Sequence, residues 1–317
     1  MAPTFLIVGA TGNTGRGTVR TLAELLPKSN EFKNHRILAQ TRDAKGAVAQ
    51  ELAKIPNIEV LEKNWTDIDA DWLKENEIER IFIAAQNSHS HFTDESLLLT
   101  NALQAGVKYV VRISTTKANV APATKVYFAR AHWAIETMLE TADFEAMSWT
   151  SLQPNIFTSN YAFMAANWLN EYRKTGKQTP LKLMADKDAG VGMIDPQEVG
   201  QVAGRLLAQV DPTPHNRKKY VLAGPSDITG KDLVDLIEKH AKTTVDQVEY
   251  RDVSKRVGFF KEAGYPSPII KSVAEAPIPI FEGRASMKYE PTSPEILKLY
   301  APRNSAKDQI DAALAKI

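Results

Sequence analysis

The 317-residue chain contains no cysteine. That excludes disulfide scaffolds, zinc–thiolate sites and cysteine nucleophiles, and it suits a reducing compartment. No run approaches the roughly 20 apolar residues that cross a bilayer, so no membrane span is expected. The opening apolar run, Phe5 to Val8, has no basic leader and passes straight into glycines. It reads as a strand and not as a secretion signal. Excess charge is also lacking: 39 Lys and Arg against 38 Asp and Glu give a formal net charge of +1. A polyanion needs a basic field, so direct nucleic-acid binding is not expected. The densest basic run, Arg217-Lys218-Lys219, reads as a solvated turn. Internal repeats and low-complexity tracts are absent. The expected location is the cytoplasm, or the nucleus for a regulator.

What is present is a rhythm of short apolar runs and helical spacings. Strands are expected at Phe5–Val8, Arg36–Gln40, Ile58–Leu61, Ile81–Ala85, Tyr109–Ile113 and Met147–Leu152. Between them Val19, Leu22, Ala23 and Leu26, then Val48, Leu52 and Ile55, fall at helical spacing, and helices are also expected at Leu97–Ala105 and Ala129–Glu140. This alternation predicts an α/β fold with a doubly wound parallel sheet of the Rossmann type. After Pro154 the rhythm changes. Helices are expected at 160–173, at 195–209 with Asp195 as N-cap and Pro196 in the first turn, and at 231–242. Tyr220–Leu222 reads as a late strand returning to the sheet. Residues 264–294 carry most of the late prolines and read as irregular, with one short helix near Ile270–Val273. The division expected is a dinucleotide-binding part, residues 1–155, and a smaller α/β part, residues 156–317, for substrate or partner.

The turn from first strand to first helix reads GATGNTG, residues 9–15. Gly9 allows a tight turn, Gly12 lets a pyrophosphate approach the backbone, and Gly15 lets the first helix pack close to the sheet. The helix N-terminus then offers free N–H groups to the anion. Thr11, Asn13 and Thr14 can add hydrogen bonds. The second strand ends Gln40-Thr41-Arg42, where an NAD site usually has an acid. Arg42 suits a 2′-phosphate and the adenine face, so NADP(H) is the expected cofactor. Asp43 reads as a helix cap, and its proximity keeps NAD(H) open. Ala85, Gln86 and Asn87 close the fourth strand, where a doubly wound sheet meets its ligand. His89 and His91 follow as an H-x-H pair in a polar loop. No carboxylate or third histidine accompanies them in sequence, so no metal site is expected.

GATGNTG at 9–15, LAQTRD at 38–43, NALQAGVKYVVRIST at 101–115, HWAIETMLE at 132–140 and LQPNIFTSNY at 152–161 together resemble the NmrA-like family. These are atypical short-chain dehydrogenase/reductases, and the family spans redox-sensing regulators and NAD(P)H:quinone oxidoreductases. The resemblance implies the fold and the dinucleotide more firmly than it implies catalysis. Ordinary members of the superfamily use Tyr-x-x-x-Lys, but here Tyr127 is followed four positions later by Ala131. The resemblance sets His132 where reductase relatives carry lysine. His132 and Tyr127 are therefore the candidate catalytic groups, with His132 a proton relay near neutral pH and a cofactor contact. Ser114 and Thr115, at the end of the fifth strand, are candidate cofactor contacts. The resemblance places Pro154, Asn155 and Phe157 beside the nicotinamide. Tyr161, Phe163, Met164 and Trp168 are expected to wall the substrate pocket. Two functions fit: an oxidoreductase passing hydride to a small apolar or aromatic acceptor (quinone, enone, carbonyl or imine), or a non-catalytic sensor of the dinucleotide that acts through a protein partner.

Overall fold

The computed structural model describes residues 2–317. Its central sheet has seven strands, all parallel: β1 (Thr4–Val8), β2 (Arg36–Thr41), β3 (Ile58–Glu62), β4 (Ile78–Ile83), β5 (Tyr109–Ile113), β6 (Ser148–Pro154) and, after a three-residue strand β7 (Leu181–Leu183) that lies elsewhere, β8 (Lys218–Leu222). The order across the sheet is β3-β2-β1-β4-β5-β6-β8. The order reverses between β1 and β4, which is where a doubly wound sheet opens its crevice. The expected α/β class and parallel sheet are what the chain adopts.

Side chains on β1 alternate between two cores, because successive residues of a strand face opposite ways. Phe5 and Ile7 pack with Val19 and Leu22 of α1 (Gly15–Leu25), Leu52 of α2 (Ala47–Leu52) and Val199, Val202 and Leu206 of a later helix, Pro196–Leu207. Leu6 and Val8 pack with Leu73 of α3 (Ala70–Glu75), Leu98 and Leu99 of α4 (His91–Ala105), and Ile135 and Leu139 of α5 (Tyr127–Leu139). A third core gathers α6 (Thr158–Thr175), β7, α8 (Gly230–Ala241), β9 (Val248–Tyr250) and the last helix, Ala306–Leu314. The Pro196–Leu207 helix is α7. It starts as expected, with Asp195 accepting from the Gln197 N–H at 2.8 Å and Pro196 in the first turn.

Several expectations are corrected. Helix α4 begins at His91, six residues before the first expected position, so His91 is not in a loop. Of the run Arg217–Lys219 only Arg217 lies in a turn, at φ +60°; Lys218 and Lys219 open β8, which among the described residues pairs with β6 alone, and their exposed charges guard that edge. After α9 (Ser254–Glu262), the proline-rich stretch holds two helices: α10 (Ser267–Glu275) and α11 (Ile278–Phe281). Their prolines occupy first turns, where the missing N–H costs nothing. The short pair β7–β9 and helices α9, α12 (Pro294–Leu299) and α13 (Ala306–Leu314) had no expected counterpart.

Candidate functional site

A cavity of about 750 Å³ opens at the crevice between β1 and β4. On one side it is lined by Gly9, Thr11, Gly12, Asn13 and Thr14 from the glycine loop and by Arg42 from the end of β2. Ala85, Gln86 and Asn87 line it after β4, Ser114 and Thr115 after β5, and Pro154, Asn155 and Phe157 after β6. His132 of α5 reaches it from below. Gly15 lies beneath the loop, outside the lining.

The loop is shaped by close approach. Gly9 sits at φ +74°, a conformation glycine adopts without penalty. A Cβ on Gly15 would lie 2.1 Å from the Gly9 carbonyl oxygen, so only glycine fits there. Gln40 holds the turn: its Oε1 accepts from the Gly9 N–H at 2.9 Å, and its Nε2 donates to the Lys63 carbonyl at 2.5 Å. Thr14 precedes α1 without a side-chain cap, so the first N–H groups of the helix face the cavity end unspent on Thr14. The Ser114 Oγ is buried without a partner among the described residues. An open anion-binding helix end, a backbone cradle with no Cβ in it and an orphaned hydroxyl fit a dinucleotide.

Arg42 is exposed, and its guanidinium donates to Gln86 Oε1 at 3.3 Å. Asp43 does not cap α2, whose N-cap is Gly46. Its Oδ1 instead accepts from the Lys45 and Gly46 N–H groups at 2.8 and 3.1 Å, closing the preceding turn. The carboxylate that kept NAD(H) open is thus engaged with backbone, beside the exposed guanidinium of Arg42.

Below the cavity lies a buried polar network that centres on Arg112 of β5. Its Nε donates to Glu95 Oε1 at 2.5 Å, Nη1 to Ser151 Oγ at 3.0 Å, and Nη2 to His132 Nδ1 at 2.8 Å. Ser151 and Gln153 in turn donate to Glu136. Burial opposes ionisation of Glu95, but the Arg112 guanidinium and His91 hold its carboxyl down at about 2. A guanidinium only donates. His132 Nδ1 must therefore keep its lone pair, and the proton sits on Nε2, which donates to Asn87 Oδ1 at 3.1 Å. Burial, Arg112 and His91 together push the imidazole pKa well below 6.5. This corrects the expected proton relay: His132 is neutral at physiological pH and hands its one proton to Asn87. Tyr127 is corrected likewise. It is outside the cavity lining, and its hydroxyl donates to the Asn87 backbone carbonyl. Burial raises its pKa.

Both candidate catalytic groups thus converge on Asn87. With its Oδ1 taken by His132, the amide of Asn87, a cavity-lining residue, keeps an NH₂ that has no partner among the described residues. Asn87 was expected as a contact, but Arg112, Glu95 and Glu136 were not. An arginine inside the apolar strand Tyr109–Ile113 was the available signal, since a buried guanidinium demands partners.

Glu95 and His132 also correct the statement that His91 has no companions. The three offer ligand atoms within 4.8 Å of one another. Arg112 already donates to two of them, so a dication there would sit against a fixed positive charge. His89 stays apart from the cluster, its ring against Tyr265. The expected aromatic wall is corrected too. The Tyr161 hydroxyl donates to the Met184 carbonyl, Trp168 Nε1 donates to the Thr179 carbonyl, Phe163 is 67% exposed, and neither these nor Met164 line the cavity. The far wall is instead built by Phe128, Ile156, Asn160, Met184, Arg256, Ala276, Pro277 and Ile280.

None of the curated proteins compared matches the chain in sequence. Among solved structures, the NADPH complex of the NADPH-dependent quinone oxidoreductase QOR2 from Escherichia coli is 22% identical, with a TM-score of 0.71 over 97% of this chain and 99% of that one. Citrobacter sp. triphenylmethane reductase complexed with NADP(H) is 19% identical, with a TM-score of 0.70 over 98% and 99%. Nmra, a negative transcriptional regulator, is 14% identical, with a TM-score of 0.71 over 100% and 97%. At these identities the likeness establishes the fold. No described helix is long and apolar enough to cross a membrane. The profile of the NmrA-like family matches residues 1–300, and the chain belongs to that family.

Proposed function

We propose that this protein is an NADP(H)-dependent oxidoreductase that reduces a small apolar or aromatic acceptor, with a quinone as the best-suited class. One observation carries this reading: the cavity does not end at the dinucleotide loop but continues over Asn87 to a second, largely apolar wall. Such a chamber has room for an acceptor beside the cofactor. The reduced nicotinamide supplies a hydride when bound. Gly9, Gly12 and the α1 N-terminus would hold the pyrophosphate, Arg42 the 2′-phosphate, and Ser114 and Asn155 the nicotinamide end. The division of labour proposed is residues 1–155 for cofactor and 156–317 for acceptor.

The absence of a free acid at the site selects among acceptors. An isolated ketone that takes hydride becomes an alkoxide and needs a proton delivered to it. A quinone that takes hydride becomes a stabilised phenolate and draws its second proton from water. The Asn87 NH₂ would polarise the accepting oxygen without giving up a proton. Steady-state NADPH oxidation with matched quinones, ketones and imines tests this. Turnover with quinones that exceeds that with ketones is expected, and silence with every class while cofactor binds overturns the reading. Nmra shares the fold and is a regulator, and the engagement of both His132 and Tyr127 with Asn87 favours a second reading, a redox sensor. A sensor should prefer one cofactor oxidation state, and it should bind a protein partner only in that state.

A further inference from the structure

We propose that Arg256 forms an oxyanion-recognition subsite on the far wall of the cavity, so that the acceptor has an apolar ring body bearing one anionic substituent such as a carboxylate or sulfonate. The identity of the bound molecule as an acceptor rests on the oxidoreductase reading; the anion site itself does not.

Arg256 projects from α9 and lines the cavity with Met184, Pro277 and Ile280. It forms no ion pair and no hydrogen bond among the described residues, and its Nε is buried without a partner. Its visible neighbours are rings: the guanidinium lies 5.8 Å from the Phe260 centroid, and Tyr127 and Tyr161 are the phenols near it. Burial pushes its pKa down from the ordinary value. Contrast the two fully buried arginines. Arg112 has two carboxylates, and Arg80 donates to the carbonyls of Leu207, Gln209 and Val210. Arg256 is half-buried, and a guanidinium whose Nε is shut off from water and left unpaired is costly; its five donors match a planar oxyanion. Of the cavity-lining residues only Arg42, Asp43 and Arg256 carry a fixed charge. The first two sit together at the end of β2, and Asp43 is engaged with backbone. Arg256 is therefore the one fixed charge on the acceptor side, set in an apolar wall. An aromatic body would rest on Met184, Pro277 and Ile280 while its oxyanion meets the guanidinium.

Binding of 2-naphthoate and of its uncharged counterpart 2-naphthamide to the NADP⁺-loaded protein, measured by calorimetry, tests the subsite without turnover. Naphthoate is expected to bind about ten- to a hundredfold more tightly, the range for a charge-assisted pair. Arg256→Gln should bring naphthoate to the level of naphthamide and leave NADP⁺ affinity unchanged. Arg256→Lys should keep part of the preference, because it retains the charge but not the fork. In turnover, Arg256→Gln should erase by the same factor the KM advantage of 1,2-naphthoquinone-4-sulfonate over neutral 1,2-naphthoquinone. Equal affinity of the native protein for the two naphthalenes overturns the proposal whatever the variants do. So does a naphthoate preference that survives Arg256→Gln, or a tenfold loss of NADP⁺ affinity in that variant, which would assign the arginine to the cofactor. If no acceptor oxidises NADPH but the naphthoate preference depends on Arg256, the oxidoreductase reading falls and the subsite stands. If neutral 1,2-naphthoquinone is reduced and the sulfonate gains nothing from Arg256, the reverse holds.

Discussion

A buried guanidinium that must donate to a histidine fixes that histidine's tautomer, and here the tautomer fixes an amide one step further on. The chain runs from Arg112 through His132 to Asn87. It leads to an expectation opposite to the one an isolated His132 suggests. Turnover should be flat between pH 6 and 8, because the imidazole stays neutral throughout. A rate that changes around pH 6.5 would return His132 to proton transfer. His132→Ala should cost about 1–3 kcal/mol of stability by stranding an Arg112 donor. It should also cut turnover per folded molecule about ten- to a hundredfold by freeing Asn87. His132→Lys would set a second buried cation against Arg112 and should be the worse of the two in thermal unfolding. At the other end of the cavity Arg42 rests on Gln86, a contact that a 2′-phosphate would replace. Arg42→Ala should weaken NADP(H) by about 1–3 kcal/mol and NAD(H) much less. Equal losses in calorimetry would mean that Arg42 only stacks on the adenine.

Loops and helices differ in what they demand of glycine. A Cβ on Gly12 would meet only the Gly9 carbonyl, at 3.1 Å, while the rest of a larger side chain would fill the pyrophosphate path. Gly12→Val should therefore abolish dinucleotide binding and leave the melting temperature near native. Gly200 sits where α7 crosses α1, and a Cβ there would lie 2.0 Å from the Thr14 carbonyl and 2.8 Å from the Thr18 nitrogen. Both are backbone, so the helices must part. Gly200→Val should cost at least about 1–3 kcal/mol in denaturant unfolding. Native-like stability in that variant would show that α7 can shift freely. The contrast also marks what the sequence disclosed. The loop motif was legible because strand, glycines and helix are contiguous, and strands such as Tyr109–Ile113 were legible as apolar runs. The start of α4 was not, because His91 and Glu95 look like surface residues until Arg112, seventeen positions on, explains their burial. Gly17 and Gly200 face each other across more than 180 residues, and nothing local announces the crossing. The far wall of the cavity was misplaced for a related reason. Tyr161 and Trp168 have helical spacing in α6, but their polar tips are drawn into the third core by the Met184 and Thr179 carbonyls.

At the scale of the whole molecule, three buried groups make stability depend on pH, and they do not act in one direction. His132 has a folded pKa well below 6.5, so below that pH the unfolded chain takes a proton that the folded one refuses. Its contribution makes stability fall as pH drops beneath about 6.5. Glu95 is held at about 2 against an ordinary 4.5, so it adds a further loss between about pH 4.5 and 2. Glu290 is the reverse. It is 4% exposed, its Oε2 has no partner among the described residues, and burial raises its pKa to about 7 despite the Ala118 backbone N–H and the charges of Lys117 and Arg284. The folded protein therefore binds a proton on Glu290 between about pH 7 and 4.5 that the unfolded chain lacks. That contribution makes stability rise as pH falls through this window, against His132. The native protein should thus show a shallow pH profile between 7 and 4.5. Glu290→Gln removes the opposing contribution and the cost of the buried charge. The variant should be more stable than native at pH 8, and its advantage should shrink steadily as pH falls through about 7 toward 4.5. Its own stability should then decline with acid where the native protein's holds nearly level. Urea unfolding of both proteins at pH 8, 6 and 5 checks this. A difference between them that stays constant across the three would mean that Glu290 keeps its ordinary pKa in the folded state, and that the shallow profile must come from elsewhere.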